Sequence, residues 1–339
     1  MDNKNWKVAV LEGDGIGPDV THAALFVLDA VKQKFGLNII YEFGEAGFHC
    51  VEKYGTNLPN ATLELLKRSD CVIKGPATTP EGTGSIKSLA VQIREMFTLF
   101  SNVRPCKSLP NVKSLKPNLD FIVVRENTEG LYSGLEYSLD KNAAVAIRLI
   151  TREGCDRVCR FAFELAKTRK KHVTLVHKAN ILKLTDGLFK EVFYNIAKEY
   201  PDITADDAHV DAITQWLITK PETFDVLVTE NLFGDIISDE AAQIVGGIGV
   251  VPGANIGTNY AMFEPIHGSA PKYTGMDKVD PIATILSIKM MLDWMGYKDA
   301  GNAVQRAVEK VLTDGKVLTY DLGGTAKCSE MGKEVAKEI

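Results

Sequence analysis

The chain has 339 residues, 45% apolar and 24% charged, with a formal net charge of −5. That length predicts two lobes or domains rather than one core. The composition excludes collagenous and low-complexity chains, and the acidic balance argues against nucleic-acid binding. No apolar run reaches the ~18 residues of a membrane span, and MDNKNWKVAV carries no signal-peptide core. The six cysteines form no C-x-x-C pair and no zinc spacing, so a reduced, cytoplasmic protein is expected.

In chain order, WKVAVLEG (6–13) predicts a buried strand stopped by glycine, and DVTHAALFVLDAVKQKFG an amphipathic helix ending at Gly36. LNIIYEFG (37–44) predicts a strand, LPNATLELLKRSD a helix and CVIKGP (71–76) a strand. The segment 82–100 reads as a loop running into a helix, and LDFIVVRENTEG (119–130) as a strand with a polar end. AVAIRLITREG (144–154) suggests another strand. REGCDRVCRFAFELAKTRK predicts a helix, with Cys155 and Cys159 as small apolar residues on it. HVTLVHKAN (172–180) and FDVLVTENLFG (224–234) are strands with polar ends. Small residues and loops follow from SDEAAQIVGGIGVVPGANIG, and DPIATILSIKMMLDWMG and AGNAVQRAVEKVLTDG predict helices. The alternation predicts an α/β fold, most simply a largely parallel sheet with helices on both faces. The clusters REN, HKAN and TEN each end an apolar strand, where ligands of open α/β sheets collect.

Four features could carry chemistry. EGDGIGPDV (12–20) is a glycine-rich loop, but its spacing is G-x-G-x-G-P and not the dinucleotide fingerprint, even with Glu42 ending the next strand. Arg94, Arg104 and Arg125 could form an anion site, since guanidinium groups grip carboxylates bidentately. Lys178, just after an apolar strand, could be a partly desolvated base. In NLFGDIISDE, Asp235 and Asp239 share a helix face. They would either hold a divalent cation or act as an N-cap and a first-turn acid.

Together these pieces resemble the metal-dependent β-decarboxylating dehydrogenases, which act on isocitrate, 3-isopropylmalate, homoisocitrate and tartrate or D-malate. The resemblance runs from GDGIGP to LGGTAKCSE through RENTEGLYSG (125–134), VHKAN (176–180), TENLFGDIISDEAA (229–242), GANIG (253–257) and EPIHGSAPKYTG (264–275). It implies a two-domain α/β fold that is not a Rossmann fold, with the site in the cleft between domains. Residues 1–99 and 250–339 would form the large, cofactor-binding domain. Residues 100–249 would form the small one, with a dimer-forming arm near 130–150. Arg94, Arg104 and Arg125 match the arginines on the malate-like part of the substrate, Tyr132 the general acid and Lys178 the catalytic lysine. Asp211, Asp235 and Asp239 match the Mg²⁺ or Mn²⁺ ligands. Lys178 and Asp211 would enter from a partner subunit, so a homodimer is implied, with no nucleic-acid or membrane partner. Because the catalytic set is complete, an enzyme is expected rather than a non-catalytic regulatory subunit.

The resemblance also bears on ligand choice. HGSAPKYTG would cradle the adenosine end of the cofactor, through His267, Gly268, Lys272, Tyr273, Val279, Asp280 and Tyr320. Lys272, Tyr273, Val279 and Tyr320 match NADP-dependent relatives. Gly324 stands where those relatives carry arginine, so NADP with some NAD use is expected. Ser88 in IKSLAVQIR matches the isocitrate-type pattern, and Lys87 replaces the acid of the isopropylmalate type. Ala90 stands where isocitrate enzymes usually have asparagine. The expected order is isocitrate, homoisocitrate, isopropylmalate, then D-malate.

Overall fold

Apolar, β-branched runs bounded by turn residues build the first strands, β1 (Trp6–Leu11), β2 (Ile39–Phe43) and β3 (Cys71–Lys74). Between them lie helices α1 (Gly17–Phe35), α2 (His49–Tyr54) and α3 (Asn60–Arg68). Pro18 starts α1, and Gly36 ends it with φ +62°, a conformation only glycine adopts readily. The computed structural model describes residues 4–80, 82 and 85–339.

The chain continues through α4 (Leu89–Met96), β4 (Ser101–Lys107), β5 (Asp120–Glu126), β6 (Glu136–Asp140), β7 (Ala143–Ala146) and α5 (Arg152–Ala166). Next come β8 (His172–His177), α6 (Thr185–Ala197), β9 (Thr204–His209), α7 (Val210–Thr219), β10 (Val226–Thr229) and α8 (Asn231–Val245). It ends with β11 (Pro252–Ile256), β12 (Ala261–Pro265), α9 (Ile282–Trp294), α10 (Lys298–Asp314) and α11 (Cys328–Lys337).

Ten strands form one sheet in the order β2-β1-β3-β12-β11-β4-β5-β10-β8-β9. It is mixed, not largely parallel: β11 runs antiparallel to β12 and β4, and β4 antiparallel to β5. These middle strands read as loops because they are polar or small. Asn102, Arg104 and Asn255 are buried in them, paid for by hydrogen bonds such as Asn102 Nδ2 to Asn255 Oδ1 at 2.8 Å. The strands from β2 to β11 in that order come from residues 39–43, 6–11, 71–74 and 252–265, and those from β4 to β9 from 101–229.

The pleat sends alternate side chains to opposite faces. Val8 and Val10 pack with α1, α9, α10 and α11, while Ala9 and Leu11 pack with Leu65, Leu89 and Ile93 of α3 and α4. On the other half, Val173 and Leu175 meet Val158, Phe163, Phe189 and Phe193 of α5 and α6. Cys155 and Cys159 belong to that apolar cluster, and burial pushes the Cys155 thiol up to about 12, so it stays protonated.

The strand suggested at 144–154 ends at Ala146. Among the described residues it pairs with β6 alone, in a ribbon whose residues are all exposed, Tyr137 at 53% and Leu139 at 66%. β5, β10 and β8 are parallel neighbours, with Thr229 opposite both Arg125 and Val176. Their polar ends therefore share one sheet edge. Among the described residues, no helix is long and apolar enough to cross a membrane.

Candidate active site

Glu230 directly follows β10 and caps α8, accepting hydrogen bonds from the backbone N–H of Leu232 (3.1 Å) and Phe233 (2.6 Å). The helix therefore starts at Asn231. Asp235 and Asp239 lie beyond its first turn and are neither N-cap nor first-turn acids. Instead they face arginines. Arg104 donates from Nη1 to Asp239 at 2.7 Å and to Ser238 Oγ at 2.8 Å, and approaches Asp235 at 3.4 Å. Arg125, almost fully buried, ion-pairs with Asp235 and donates from Nε (2.9 Å) and Nη2 (2.7 Å) to Asn231 Oδ1. The Tyr132 hydroxyl donates to Asp235 Oδ2 at 2.6 Å and lies beside Arg125, whose guanidinium is 4.8 Å from its ring centre. A Cβ on Gly234 would sit 2.6 Å from Arg125 Cγ, so only glycine lets that arginine pass.

Burial opposes the Asp235 charge, but Arg125, the Tyr132 hydroxyl and Arg104 hold its carboxyl below the ordinary range. Burial, with the Asp235 charge nearby, pushes Asp239 up despite Arg104. Burial also raises the Tyr132 hydroxyl against the pull of Arg125, so it stays protonated near neutral pH. Arg125 falls to about 10, mostly through burial and then through the charge of Arg94.

Arg94 enters from α4. Its charge acts on Arg125 and Asp235, while Nη2 donates to Glu264 at 3.2 Å. Its Nε is buried without a partner among the described residues. Glu264 on β12 also holds the buried Lys74 at 2.8 Å and accepts from Asn255 Nδ2 at 2.8 Å. Burial raises this carboxyl, but Lys74 and Arg94 outweigh it and bring it from 4.5 to about 2. The group is nearly enclosed, so the shift corresponds to about 3 kcal/mol of stability. Because the folded value is depressed, that share is complete above the unfolded value of 4.5 and is lost as pH falls towards 2. Glu264→Gln is expected to be less stable than wild type near neutral pH and to show a flatter acid limb. Urea midpoints measured against pH check this, and an unchanged acid limb would contradict it.

Ser88 is the half-buried N-cap of α4 and makes no capping hydrogen bond. Lys87 pairs with Glu95, and Ala90 packs on the apolar cluster of α3 and α4. Lys178 follows β8 directly and ion-pairs with Asp211, which opens α7 after the neighbouring β9 and is 62% exposed. Among the described residues, no three His, Cys, Asp or Glu side chains within the chain could hold a metal ion together. Lys178 and Asp211 form an ion pair, and no hydrogen bond or ion pair among the described residues links them to Asp235 or Asp239.

The glycine-rich loop is a packing device. A Cβ at Gly13, Gly15 or Gly17 would lie about 2 Å from the carbonyl oxygens of Pro76, Ser269 and Glu12 respectively. Asp14 accepts from the backbone N–H of Phe48 (2.8 Å), His49 (3.1 Å) and Thr78 (2.8 Å), which fastens the loops around it. The Ile16 N–H donates to Ser269 O at 2.9 Å and brings the segment 267–273 alongside. In that segment burial lowers the His267 ring, whose Nε2 is buried without a partner among the described residues. Gly268 is exposed. Lys272 lies over Tyr273, 4.8 Å from its centroid, and Tyr273 lies 5.6 Å from Tyr320. Lys278, which sequence reasoning did not single out, sits 4.3 Å from the Tyr320 ring centre. Only its place next to Val279 could have pointed to it. Val279 is buried under Tyr273 with Ile16, Val20 and Cys328, so it packs rather than facing outward. Asp280 is buried, which holds its carboxyl well above the usual range. A Cβ at Gly324 would meet Leu318 O at 2.0 Å, so this loop admits no side chain there.

Residues 7–335 match the family model described as isocitrate/isopropylmalate dehydrogenase. The chain is 46% identical to the 3-isopropylmalate/3-methylmalate dehydrogenase of Methanocaldococcus jannaschii, over 98% of each chain. It is 44% identical to the homoisocitrate dehydrogenase of the same organism, over 98% of this chain and 97% of the other. The solved isocitrate dehydrogenase of Methylococcus capsulatus superposes with a TM-score of 0.93 at 43% identity, covering 98% of this chain and 99% of that one. On these matches, and on the mixed sheet with its cluster of arginines and aspartates, the chain belongs to the isocitrate/isopropylmalate dehydrogenase family of oxidative, decarboxylating dehydrogenases.

Proposed function

We propose that the protein oxidises and decarboxylates isocitrate to 2-oxoglutarate and CO₂, with NADP as preferred cofactor, some use of NAD, and Mg²⁺ or Mn²⁺. The observation that carries this reading is the meeting of Arg94, Arg104 and Arg125 with Tyr132 beside Asp235 and Asp239. Three guanidinium groups suit a substrate with several carboxylates. The Ser88 hydroxyl at the start of α4 has no capping bond to lose.

The donor set fits the cation. Asp235 and Asp239 offer hard carboxylate oxygens one turn apart, as Mg²⁺ and Mn²⁺ prefer, and Asp211 of a second copy would complete the set. The unpartnered His267 Nε2 and the lysines around Tyr273 and Tyr320 fit a nucleotide carrying an additional phosphate. When bound, the cation supplies Lewis-acid polarisation of the substrate hydroxyl, and the nicotinamide supplies a hydride acceptor. The arginines then fix the substrate carboxylates. Lys178 takes the hydroxyl proton, and Tyr132, kept protonated by burial, returns a proton to C3 after CO₂ leaves.

In this reading residues 1–99 with 250–339 form the cofactor-carrying domain, and 100–249 the smaller one. The division of the sheet between these segments supports that split. The protein works as a homodimer. The exposed ribbon with Tyr137, Leu139 and Val145 offers an apolar surface for a partner's arm near 130–150.

A second reading, homoisocitrate or 3-isopropylmalate as substrate, is favoured by the 46% and 44% relatives and by Ala90. A regulatory subunit is disfavoured by the complete set of Tyr132, Lys178, Asp211, Asp235 and Asp239. A steady-state matrix separates them: NADP or NAD with isocitrate, homoisocitrate, 3-isopropylmalate or D-malate, plus Mg²⁺, followed by nicotinamide absorbance. The highest kcat/KM is expected for isocitrate with NADP. A higher value for homoisocitrate or isopropylmalate would replace the substrate assignment, and no turnover with any pair would favour the regulatory subunit.

A further inference from the structure

Lys178 is the first residue after β8, and the peptide that carries it is held from two sides by buried side chains. Its own N–H donates to Asp186 Oδ2 at 2.6 Å, and Asp186 is in turn held by Arg148 Nη1 at 2.6 Å. The next N–H, that of Ala179, donates to His177 Nδ1 at 3.0 Å. A backbone N–H can only donate, so Nδ1 accepts and the ring proton sits on Nε2. That nitrogen meets Asp207 Oδ2 at 2.8 Å across the β8–β9 pair, and His177 is almost fully buried. Asp207 also accepts from Lys190 at 2.7 Å and from the Tyr194 hydroxyl. Burial works against its charge, yet Lys190, Tyr194 and His177 bring its carboxyl to about 2. An ionised acceptor that keeps one imidazole tautomer in place is more than a surface fold requires.

We propose that His177 and Asp207 are positioning residues: Asp207 fixes the ring of His177, and His177 fixes the Ala179 peptide and with it the aim of Lys178. The inference rests on the reading of Lys178 as the base. A small misplacement of such a group costs roughly 10- to 100-fold in rate.

The test uses the full-length enzyme with Mg²⁺ and the substrate pair of highest kcat/KM. His177→Leu removes the acceptor. His177→Asn keeps one, because an asparagine side chain bonds the N–H two residues on. Asp207→Ala leaves the ring but frees it. We expect His177→Leu and Asp207→Ala to lower kcat roughly 10- to 100-fold with KM changed by less than about threefold, and His177→Asn to recover kcat to within about threefold of wild type. Equal kcat in the leucine and asparagine variants would overturn the proposal. If the leucine variant fails to fold by circular dichroism, an unchanged kcat in Asp207→Ala would overturn it. Lys178→Ala runs alongside. Turnover retained in that variant would instead refute the lysine's role as base, a separate failure.

Discussion

Asp235→Ala is expected to abolish turnover, with kcat/KM lower by roughly 10³-fold or more. Three side chains converge on this carboxylate: Arg125, Arg104 and the Tyr132 hydroxyl. Removing it takes away an expected metal ligand and leaves the buried Arg125, already lowered to about 10, beside Arg94 and Arg104 without a counter-charge. A buried ion left unpaired costs several kcal/mol, so the melting temperature should fall as well. Asp235→Asn separates the two effects. Its single amide oxygen can still accept from Arg125 while its NH2 faces the Tyr132 oxygen, but it supplies no counter-charge, so part of the stability should return while turnover does not. Calorimetry and steady-state kinetics on both variants check this. A near-normal rate in the asparagine variant would remove Asp235 from the catalytic machinery.

Lys178→Ala is expected to lose roughly 10²- to 10⁴-fold in kcat, the range over which a positioned base contributes. The side chain is partly exposed and, among the described residues, pairs only with Asp211, itself on the surface, so the fold should barely notice the change. Added primary amines should restore part of the rate, more for the more basic amines. A variant of unchanged stability and near-normal rate would contradict the role.

Legibility in the sequence followed burial and composition. β1, β3, β5, β8 and β10 each carry a short apolar run, VAVL, CVI, FIVV, VTLV and VLV, which marks them. β4, β11 and β12 hold Asn102, Arg104, Gly253, Asn255 and Glu264, so nothing local distinguishes them from loops. They are strands because partners far away in sequence satisfy their polar groups, as Arg94 and Lys74 do for Glu264. Helices α6 and α11 went unread, and so did α7, which begins directly at the end of β9.

Among the site residues, Arg125 and Lys178 were visible as charges ending apolar strands, and Asp235 and Asp239 through their spacing. Their partners were not. Lys74 for Glu264, Ser238 for Arg104 and Asn231 for Arg125 are tertiary pairings without a local signature. The spacing of Asp235 and Asp239 also left a helix-cap reading open, which the Glu230 cap removes.

Among the described residues, Arg104, Arg125 and Tyr132 pair with Asp235 and Asp239, and Lys178 pairs with Asp211. The proposed function requires two copies to join these pairs into one catalytic centre. Mixing inactive Lys178→Ala with inactive Asp235→Ala, with dissociation and reassembly, tests it directly. Each hybrid dimer would carry one site spoiled twice and one intact, so random assortment should restore about one quarter of the wild-type rate. Restored activity near that level is the predicted result. A mixture as inactive as its parents, with hybrids shown to form, would contradict a site shared between subunits.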